Sequence, residues 1–488
     1  MRRFVLALIG LTAFAGPAAA QPAGKLNVLF VAVDDLRPAL ACAGDPHAKT
    51  PNIDKLAARG TVFTRAYCQQ AVCSPSRSSL LTGRRPDSTR VYDLVTHFRT
   101  ALPDVVTLPQ HFRQSDYYVH GVGKIYHPGY NDEPSWSVPW EATKGKNFGP
   151  DGQRVVADAR AKAKAANEDV TKVRGLPVEA PEVGDGELND GWTAARAIEI
   201  LKDRKGRAEP FFLAVGFAKP HLPFVAPKRY WDMYDPATLP VSASAEPPAG
   251  APKYGPQFGG ELRAYVGIPK SGAVPEATAR RLVHGYYAAV SYMDAQLGRV
   301  LDALRETGQL DNTVVVLWGD HGWHLGDHGM WCKHTNYELA TRAALVVSVP
   351  GQRAVGRPCD RLVEFVDIFP TLADVCRLPA AAGVEGYSFA PLLNDPARPW
   401  KAAAFSQYPR PGGPGVGPLM GYAVRSDTYR YVEWRKRDGG EVVARELYDH
   451  RTDAAEDRNV AADAANRDVV AGLARRLADG WRANAPPK

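Results

Sequence analysis

Two apolar segments that end in acidic or polar residues constrain the fold of this chain most strongly. Residues 26–33 form a continuous apolar run followed by two aspartates, and residues 313–318 form a second run followed by a Gly-Asp-His-Gly sequence. Continuous apolar runs of this length predict strands that are covered on both faces, as in parallel sheets. Because ligands bind beyond the carboxyl ends of such strands, we expect the polar residues there to converge: Asp34, Asp35, Asp320 and His321.

Helical patterns alternate with the predicted strands. The longest helical pattern covers residues 277–306 and precedes Gly308, and a shorter one begins at Pro51. Further strands are predicted at residues 211–215 and 345–349. This alternation favours an α/β fold in which a central, mostly parallel sheet is flanked by helices.

Residues 399–488 have a different pattern. They follow a linker-like segment at 395–402 and contain three strand-like runs and a helical pattern, at 420–424, 429–434, 446–448 and 469–481. These features predict a smaller C-terminal subdomain, an antiparallel sheet closed by a helix. We therefore expect a catalytic domain over residues 21–398 and this subdomain over 399–488. The Lys- and Ala-rich segment at 144–190 predicts a solvated helix and loop insertion.

The first twenty residues are typical of a secretory signal peptide. Arg2 and Arg3 precede an apolar run at 4–14, and Ala18-Ala19-Ala20 offers a cleavage site. This run is too short to span a bilayer, and no later stretch reaches the required length. We expect an exported protein, periplasmic or secreted, with no membrane span.

Charge and cysteine content exclude some partners and leave one pairing open. The 488 residues carry a formal net charge of +7 without a dense basic tract, so a nucleic-acid partner is not expected. The spacing of the six cysteines matches no zinc pattern. Cys359 and Cys376 could form a disulfide in an oxidising compartment or remain free.

The sequence Cys73-Ser74-Pro75-Ser76-Arg77 is the strongest functional signal in the chain. It has the form Cys-x-Pro-x-Arg, the sulfatase signature, in which the cysteine is oxidised to Cα-formylglycine. Taken alone, Cys73 could equally be a small buried apolar residue. A nucleophile at a helix N-terminus would gain from the helix dipole, and Arg77, one turn later, would hold its oxygen.

Cationic side chains must surround an anionic sulfate ester before a nucleophile can attack it. Lys124 and Lys333 are candidates to hold sulfate as point charges, while His127 and His221 are candidates to move protons. His221 lies between two prolines, and the rigid loop suits an acid for the leaving group. Each of these residues alone would more often be an ordinary surface residue.

The three aspartates at the strand ends suggest a cation. Clustered carboxylates are costly unless a positive charge neutralises them, and Ca²⁺ prefers oxygen ligands. His321 is a less usual ligand for such a hard cation.

With these residues in view, the chain resembles the type I, formylglycine-dependent sulfatases of the alkaline-phosphatase-like superfamily, and within them the iduronate-2-sulfatase type. The resemblance extends through most of the chain, at residues 27–29, 34–38, 69–77, 81–87, 123–124, 127–129, 211–216, 219–221, 320–323, 325–326 and 328–329. Segments 406–411 and 420–422 are specific to the iduronate type. His321 also follows that type, since many arylsulfatases have Asn there.

The resemblance implies a role for each candidate residue. One Ca²⁺ would be bound by Asp34, Asp35, Asp320, His321 and the formylglycine at position 73, whose hydrate attacks sulfur. His221 would protonate the departing alcohol, and His127 would help to regenerate the aldehyde. Lys124 and Lys333 would hold the sulfate and Arg77 the hydrate, while Trp323 would either line the sugar pocket or pack in the core. The implied partners are a sulfated carbohydrate and a formylglycine-generating maturation enzyme.

The expected reaction is hydrolysis of a sulfate ester on a glycan, with a 2-O-sulfated iduronate or other uronate at a chain end as substrate. Segments 144–190 and 411–418 depart from the family pattern and are candidate rims of the pocket, so another sulfated polysaccharide remains an alternative. Others are a phosphonate or phosphate monoester hydrolase and a choline-sulfatase-like enzyme, although no cage for a quaternary ammonium can be identified. A non-enzymatic alternative is a glycan-binding protein in which Cys73 is never oxidised.

Overall fold

The computed structural model describes residues 24–242, 246–413 and 415–487. The signal peptide predicted at residues 1–20 lies outside these ranges. Within them, no helix combines the length and the apolar character that crossing a membrane requires.

A six-stranded sheet forms the centre of the molecule. In spatial order its strands are Thr61–Val62, Leu345–Ser348, Thr313–Gly319, Asn27–Val33, Phe211–Phe217 and Tyr118–Gly123. The last four run parallel to one another, and the first two pair antiparallel at one edge. The prediction of a central, mostly parallel sheet is therefore confirmed, with an antiparallel edge that an apolar run alone does not reveal.

Helices cover both faces of this sheet, which explains why its strands are continuously apolar. Leu29, Val31 and Val33 pack into one core with the long helix, while Val28 and Phe30 pack into a second core on the other face. The helices are Pro51–Ala58, Cys73–Thr82, Pro86–Thr89, Leu108–Arg113, Pro150–Ala165, Asn189–Asp203, Lys228–Trp231, Glu276–Glu306, Glu338–Thr341, Ile368–Val375 and Arg467–Ala483. Alternate residues of each central strand thus point into different cores.

The C-terminal region contains a separate antiparallel sheet, as predicted. Its strands, in order, are Ala404–Arg410, Leu419–Arg425, Tyr429–Lys436 and Val442–Asp449. Leu473 of the last helix packs against Val424, Tyr431 and Leu447. The first strand was not predicted: it contains Pro409, which an outer strand tolerates because one of its edges needs no N–H donor. The domain boundary near residue 398 stays a prediction.

Short strands complete the fold and connect its loops. They are Ala66–Tyr67, Val178–Glu179, Phe224–Val225, His324–Leu325, Trp331–Cys332, Arg342–Ala343 and Val363–Glu364. The insertion at 144–190 contains the helix Pro150–Ala165, in which only Gly152 and Ala163 are buried. The prediction of a solvated helix there is confirmed.

All six cysteines have free thiols. Cys359 lies with its Sγ 3.6 Å from the carbonyl oxygen of Pro396, and Cys376 is buried separately. The disulfide that the sequence left open is therefore absent from this structure.

The buried side chain of Lys401 connects the start of the C-terminal region to Glu364 and Asp367. The Lys401 ammonium lies 2.6 Å from Glu364 Oε2 and 2.6 Å from Asp367 Oδ2, and Arg85 Nη1 lies 2.7 Å from Glu364 Oε1. All four side chains are buried. Removing one partner of such a cluster leaves a carboxylate without its compensating charge.

We expect Lys401→Met to lower the free energy of unfolding by about 3 kcal/mol, since Asp367 would lose its cationic partner. Denaturant unfolding followed by tryptophan fluorescence measures the change. Lys205→Met, at an exposed lysine, is the matched control and should change the free energy by less than about 0.5 kcal/mol. Equal stability of the two variants would contradict the prediction.

Candidate active site

The predicted metal ligands converge at the carboxyl ends of two adjacent strands. Strands Asn27–Val33 and Thr313–Gly319 are parallel and in register, with Val33 opposite Gly319. The residues that follow are therefore brought together, and the Asp35 N–H donates a hydrogen bond of 2.9 Å to Asp320 Oδ1. All four residues after these strands are buried: Asp34, Asp35, Asp320 and His321.

Cys73 is the first residue of the helix Cys73–Thr82 and faces this cluster. Its Sγ lies 3.5 Å from Asp34 Oδ1 and 3.5 Å from His321 Nε2. The Asp35 carboxylate is 3.3 Å from the same imidazole nitrogen. Two overlapping groups of side chains have their potential ligand atoms within 4.8 Å of one another: Asp34, Asp35, Cys73 and His221, and Cys73, Asp320 and His321. This arrangement fits a metal ion bound beside the helix N-terminus.

Arg77 is fully buried beneath the cluster. Its Nε lies 2.9 Å from Asp320 Oδ2 and its Nη2 lies 3.0 Å from Asp34 Oδ1. The remaining nitrogen donates to the carbonyl oxygens of Lys124 and Ile125. With a cysteine at position 73, the guanidinium thus holds two of the aspartates in place, and its predicted contact with a nucleophile oxygen stays a prediction.

Two lysines approach the cluster with their ammonium groups. Lys124 forms an ion pair with Asp34, and its Nζ is 3.9 Å from Cys73 Sγ. Lys333 Nζ lies 2.9 Å and 3.1 Å from the two carboxylate oxygens of Asp35. Burial lowers the pKa of each ammonium, but the neighbouring aspartates outweigh it and raise both pKa values. Both lysines therefore remain charged at neutral pH.

The aspartates respond differently to burial. Burial raises the pKa of Asp34, but the positive charges of Lys124 and His221 reverse this and hold it well below its usual value. For Asp35 burial dominates, and its pKa is raised despite the charges of His221 and Lys333. A cluster in which one carboxylate resists ionisation is short of positive charge, as expected of a site that binds a cation.

His221 is held in a fixed orientation next to the cluster. Its Nδ1 donates to the Leu222 carbonyl oxygen at 2.5 Å, and its Nε2 lies 3.8 Å from Asp35 Oδ2. Asp190 stabilises the loop that carries His221, because its carboxylate accepts hydrogen bonds from the N–H groups of Ala218 and Lys219. Burial lowers the pKa of His221, but Asp35 and the other carboxylates nearby raise it overall. The imidazole is therefore favoured in its protonated form.

Glu261 is a site residue that the sequence did not reveal. Its Oε1 lies 3.1 Å from His221 Nε2, and its Oε2 lies 3.0 Å from Lys333 Nζ. The residue follows a pair of glycines in a segment without regular strand or helix pattern, so no local signal distinguished it from a loop acid. Only the tertiary fold brings it to the two candidate catalytic side chains.

His127 lies at the edge of the cluster. Its ring stacks on Tyr130 with centroids 6.0 Å apart, and its buried Nδ1 has no hydrogen-bond partner among the described residues. Burial, together with the charge of Lys124, lowers its pKa to about 4. At neutral pH the ring is uncharged and can accept a proton.

Trp323 is packed in the core rather than exposed in a pocket. Its side chain is buried against Phe224, with ring centroids 6.3 Å apart. The Lys333 ammonium lies 4.8 Å from the centroid of the indole ring. Of the two roles that the sequence left open, core packing is the one observed, and the indole also supports a candidate catalytic lysine from below.

The C-terminal sheet contributes to the rim of the site. The ring centroid of Tyr408 lies 5.9 Å from that of His334, which is the residue directly after Lys333 in the chain. Arg410 donates to the His334 carbonyl oxygen at 2.6 Å. These contacts explain why a motif in the C-terminal region accompanies the active-site motifs.

Comparisons with known proteins agree with this geometry. A family model described as Sulfatase matches residues 26–377, and one described as N-sulphoglucosamine sulphohydrolase, C-terminal, matches residues 326–482. The chain is 35% identical to iduronate 2-sulfatase of Homo sapiens over 91% of this chain and 92% of that protein. It is 34% identical to iduronate 2-sulfatase of Mus musculus, over 92% of this chain and 93% of that protein.

Solved structures share the fold. The phosphonate monoester hydrolase of Agrobacterium radiobacter superposes with a TM-score of 0.72 at 24% identity, covering 93% of this chain and 95% of that one. At this identity the similarity extends to the architecture alone, an alkaline-phosphatase-like α/β fold with a small second sheet.

Proposed function

This chain belongs to the sulfatase family and hydrolyses sulfuric esters, and on that premise we propose that its substrate is a 2-O-sulfated uronic acid, such as iduronate, at the end of a glycan chain. The observation that carries the substrate assignment is the similarity to iduronate 2-sulfatases over nine-tenths of both chains. The cluster around Cys73 supports the chemistry, because it combines a nucleophile position with cations on several sides.

We propose that Cys73 is converted to formylglycine and that one Ca²⁺ is held by the carboxylates and imidazole around it: Asp34, Asp35, Asp320 and His321. Three carboxylates and one nitrogen form a donor set that suits a hard cation, and Arg77 pre-orients two of the carboxylates. The formylglycine hydrate would supply the oxygen nucleophile for sulfur, and Ca²⁺ would supply positive charge for the sulfate oxygens.

Lys124 and Lys333 are suited to hold the sulfate group. Their ammonium groups approach the cluster, and their raised pKa values keep them charged. A sulfate ester develops negative charge on its leaving oxygen as the S–O bond breaks, and His221 can donate a proton to that oxygen. His127, uncharged at neutral pH, can accept the proton that must be removed before the sulfate is released.

We propose that Glu261 positions both His221 and Lys333. Glu261→Gln is expected to lower kcat by a factor between about 10 and 100, because a neutral amide holds these side chains less firmly. The alkaline limb of the kcat/KM profile should also move to lower pH. The acid acts only when protonated, and loss of a neighbouring negative charge lowers the pKa of His221.

Initial rates over a series of pH values measure both effects. Glu261→Asp keeps the negative charge, so this control should keep the alkaline limb of the unaltered enzyme even if kcat falls. An equal shift of the alkaline limb in Glu261→Gln and Glu261→Asp would contradict the prediction that the charge of Glu261 raises the pKa of His221.

The test of the proposed function uses protein that is co-expressed with a formylglycine-generating enzyme. Sulfate release is measured from a disaccharide with a terminal 2-O-sulfated iduronate and from a disaccharide sulfated only at the 6-position of glucosamine. We expect release from the first substrate alone, and none from protein made without the maturation enzyme. No release from protein whose mass confirms formylglycine would refute the uronate assignment.

We further propose that the chain is exported and matured before it meets its substrate. The signal-like sequence at residues 1–20 supports export to the periplasm or the medium. The intact Cys-x-Pro-x-Arg sequence supports recognition by a maturation enzyme.

A further inference from the structure

A cleft of about 700 Å³ lies between the C-terminal sheet, the C-terminal helix and the turn that follows the helix Cys73–Thr82. Two acidic residues line it, Asp87 and Glu385. Six cationic residues line the same cleft: Arg85, Arg90, Arg435, Lys436, Arg437 and Arg482. None of these residues belongs to the candidate catalytic set.

The acidic residues of the cleft do not neutralise its arginines. Glu385 accepts hydrogen bonds from the Arg85 backbone N–H and from the Ser88 hydroxyl. Asp87 accepts from the hydroxyl of Tyr92 at 2.9 Å and from the hydroxyl of Tyr422 at 3.1 Å. Both carboxylates are thus satisfied by neutral donors. Acids outside the cleft pair three of its cations, Arg85 with Glu364, Arg435 with Glu433 and Lys436 with Glu441, so the excess positive charge belongs to Arg90, Arg437 and Arg482, which form no ion pair among the described residues.

Aromatic rings fix three of the arginines. The guanidinium of Arg437 lies 5.0 Å from the ring centroid of Tyr92, and that of Arg435 lies 5.4 Å from Tyr422. A third, Arg482, lies 4.3 Å from the centroid of the neighbouring tryptophan. Stacking restricts the planar group but leaves its N–H edges available for oxyanions.

Two of these arginines lack a compensating acid. Among residues 24–242, 246–413 and 415–487, neither Arg437 nor Arg482 forms an ion pair with a carboxylate, and both are exposed. Arginine recognises planar or tetrahedral oxyanions through paired N–H donors. An excess of such donors in a concave surface is suited to an anionic ligand.

The cleft is separate from the nucleophile although one strand borders both. Phe405, Ser406 and Gln407 of the strand Ala404–Arg410 line the cleft, whereas Tyr408 contacts His334 next to the candidate catalytic Lys333. No candidate metal ligand or catalytic residue lines the cleft, so the cleft and the site around Cys73 are distinct.

We propose that the cleft is a second binding site for a sulfated polysaccharide, which holds sulfate and carboxylate groups of the chain away from the catalytic centre. The ligand class rests on the proposed function, while the charge and ring arrangement do not. A single-stranded nucleic acid fits less well, because arginines already cover the rings on which its bases would stack. The site would favour long chains over disaccharides by retaining the polymer on the enzyme.

The test measures binding of heparin, a sulfated uronate-containing polysaccharide, by isothermal titration at low and at moderate salt. The variant is Arg437→Glu with Arg482→Glu, and the matched control is Arg154→Glu with Arg160→Glu, at exposed arginines of the helix Pro150–Ala165. We expect the cleft variant to lose at least about tenfold in affinity and to show a weaker salt dependence. The control should stay within about twofold of the unaltered protein.

Kinetics separate this inference from the proposed function. In the cleft variant, kcat/KM on the 2-O-sulfated disaccharide should stay within about twofold, while KM on the polymer rises. Equal loss of heparin affinity in the control, no loss in the cleft variant, or tighter cleft-dependent binding of single-stranded DNA would overturn the inference. If heparin binding depends on the cleft but the protein releases no sulfate from the disaccharide, the binding-site inference is supported and only the uronate assignment is refuted.

Discussion

Sulfate release should fall by a factor of about 10⁴ or more when Cys73 is replaced by alanine. A methyl group cannot be oxidised to an aldehyde, so the site would keep its cations but lack an oxygen nucleophile. Residual turnover would then come from the cations and bound water alone. Initial rates on the 2-O-sulfated disaccharide, with protein from the same co-expression, measure the loss.

The loss should arise from chemistry and not from unfolding. The thiol of Cys73 is small and buried, and its removal should cost about 1 kcal/mol of stability. Cys376→Ala is the matched control, because Cys376 also has a buried, free thiol but lies outside the potential metal ligands grouped around Cys73. A Cys73→Ala protein with unreduced turnover, or a Cys376→Ala protein with equal loss, would contradict the assignment of the nucleophile.

Removal of divalent cations should lower the rate by about 10³-fold, since a bound cation contributes several kcal/mol of charge stabilisation at a reacting centre. Ca²⁺ at about 100 times its Kd should restore the rate and raise the free energy of unfolding by about 2.7 kcal/mol. Thermal unfolding with and without Ca²⁺ measures the second effect. The physical reason is the buried carboxylate cluster, in which burial raises the pKa of Asp35 despite the positive charges of His221 and Lys333.

Asp35→Asn should abolish most of the calcium response, because it removes one charged ligand while keeping the shape of the side chain. Asp294→Asn is the control. Asp294 is a buried carboxylate that accepts the N–H groups of Asn52 and Ile53 at the start of a helix, and it lies outside the clusters around Cys73. This control should lose stability and keep its response to Ca²⁺. Stabilisation of Asp35→Asn by Ca²⁺ to the full extent would show that the ion binds elsewhere.

The sequence predicts the candidate nucleophile, the candidate metal ligands and the lysines suited to hold sulfate, because each belongs to a local pattern. Asp34 and Asp320 follow continuous apolar runs, and a buried parallel strand is the arrangement that such runs favour. Cys73 and Arg77 lie in a short motif at the start of a helix, where spacing alone determines that they share a face. None of these patterns depends on which strands are neighbours in the sheet.

Contacts between distant segments were not predictable in the same way. Glu261 reaches His221 and Lys333 from an irregular segment that has no periodicity. The antiparallel direction of Leu345–Ser348 was missed because an apolar run has the same composition in either direction. The sequence also does not reveal the basic cleft, because its arginines come from separate segments and form no dense tract.

By itself, the sequence determined the fold class, the Cys-x-Pro-x-Arg motif and the polar residues at the strand ends, because periodicity and spacing act over a few residues. Only the tertiary structure decided how the charges are paired. Arg77 bridges Asp34 and Asp320, Glu261 links a histidine to a lysine, and Lys401 pairs with two buried acids nearly forty residues earlier in the chain. Coulombic interactions depend on distance in space and on burial, and neither is encoded in the local order of residues.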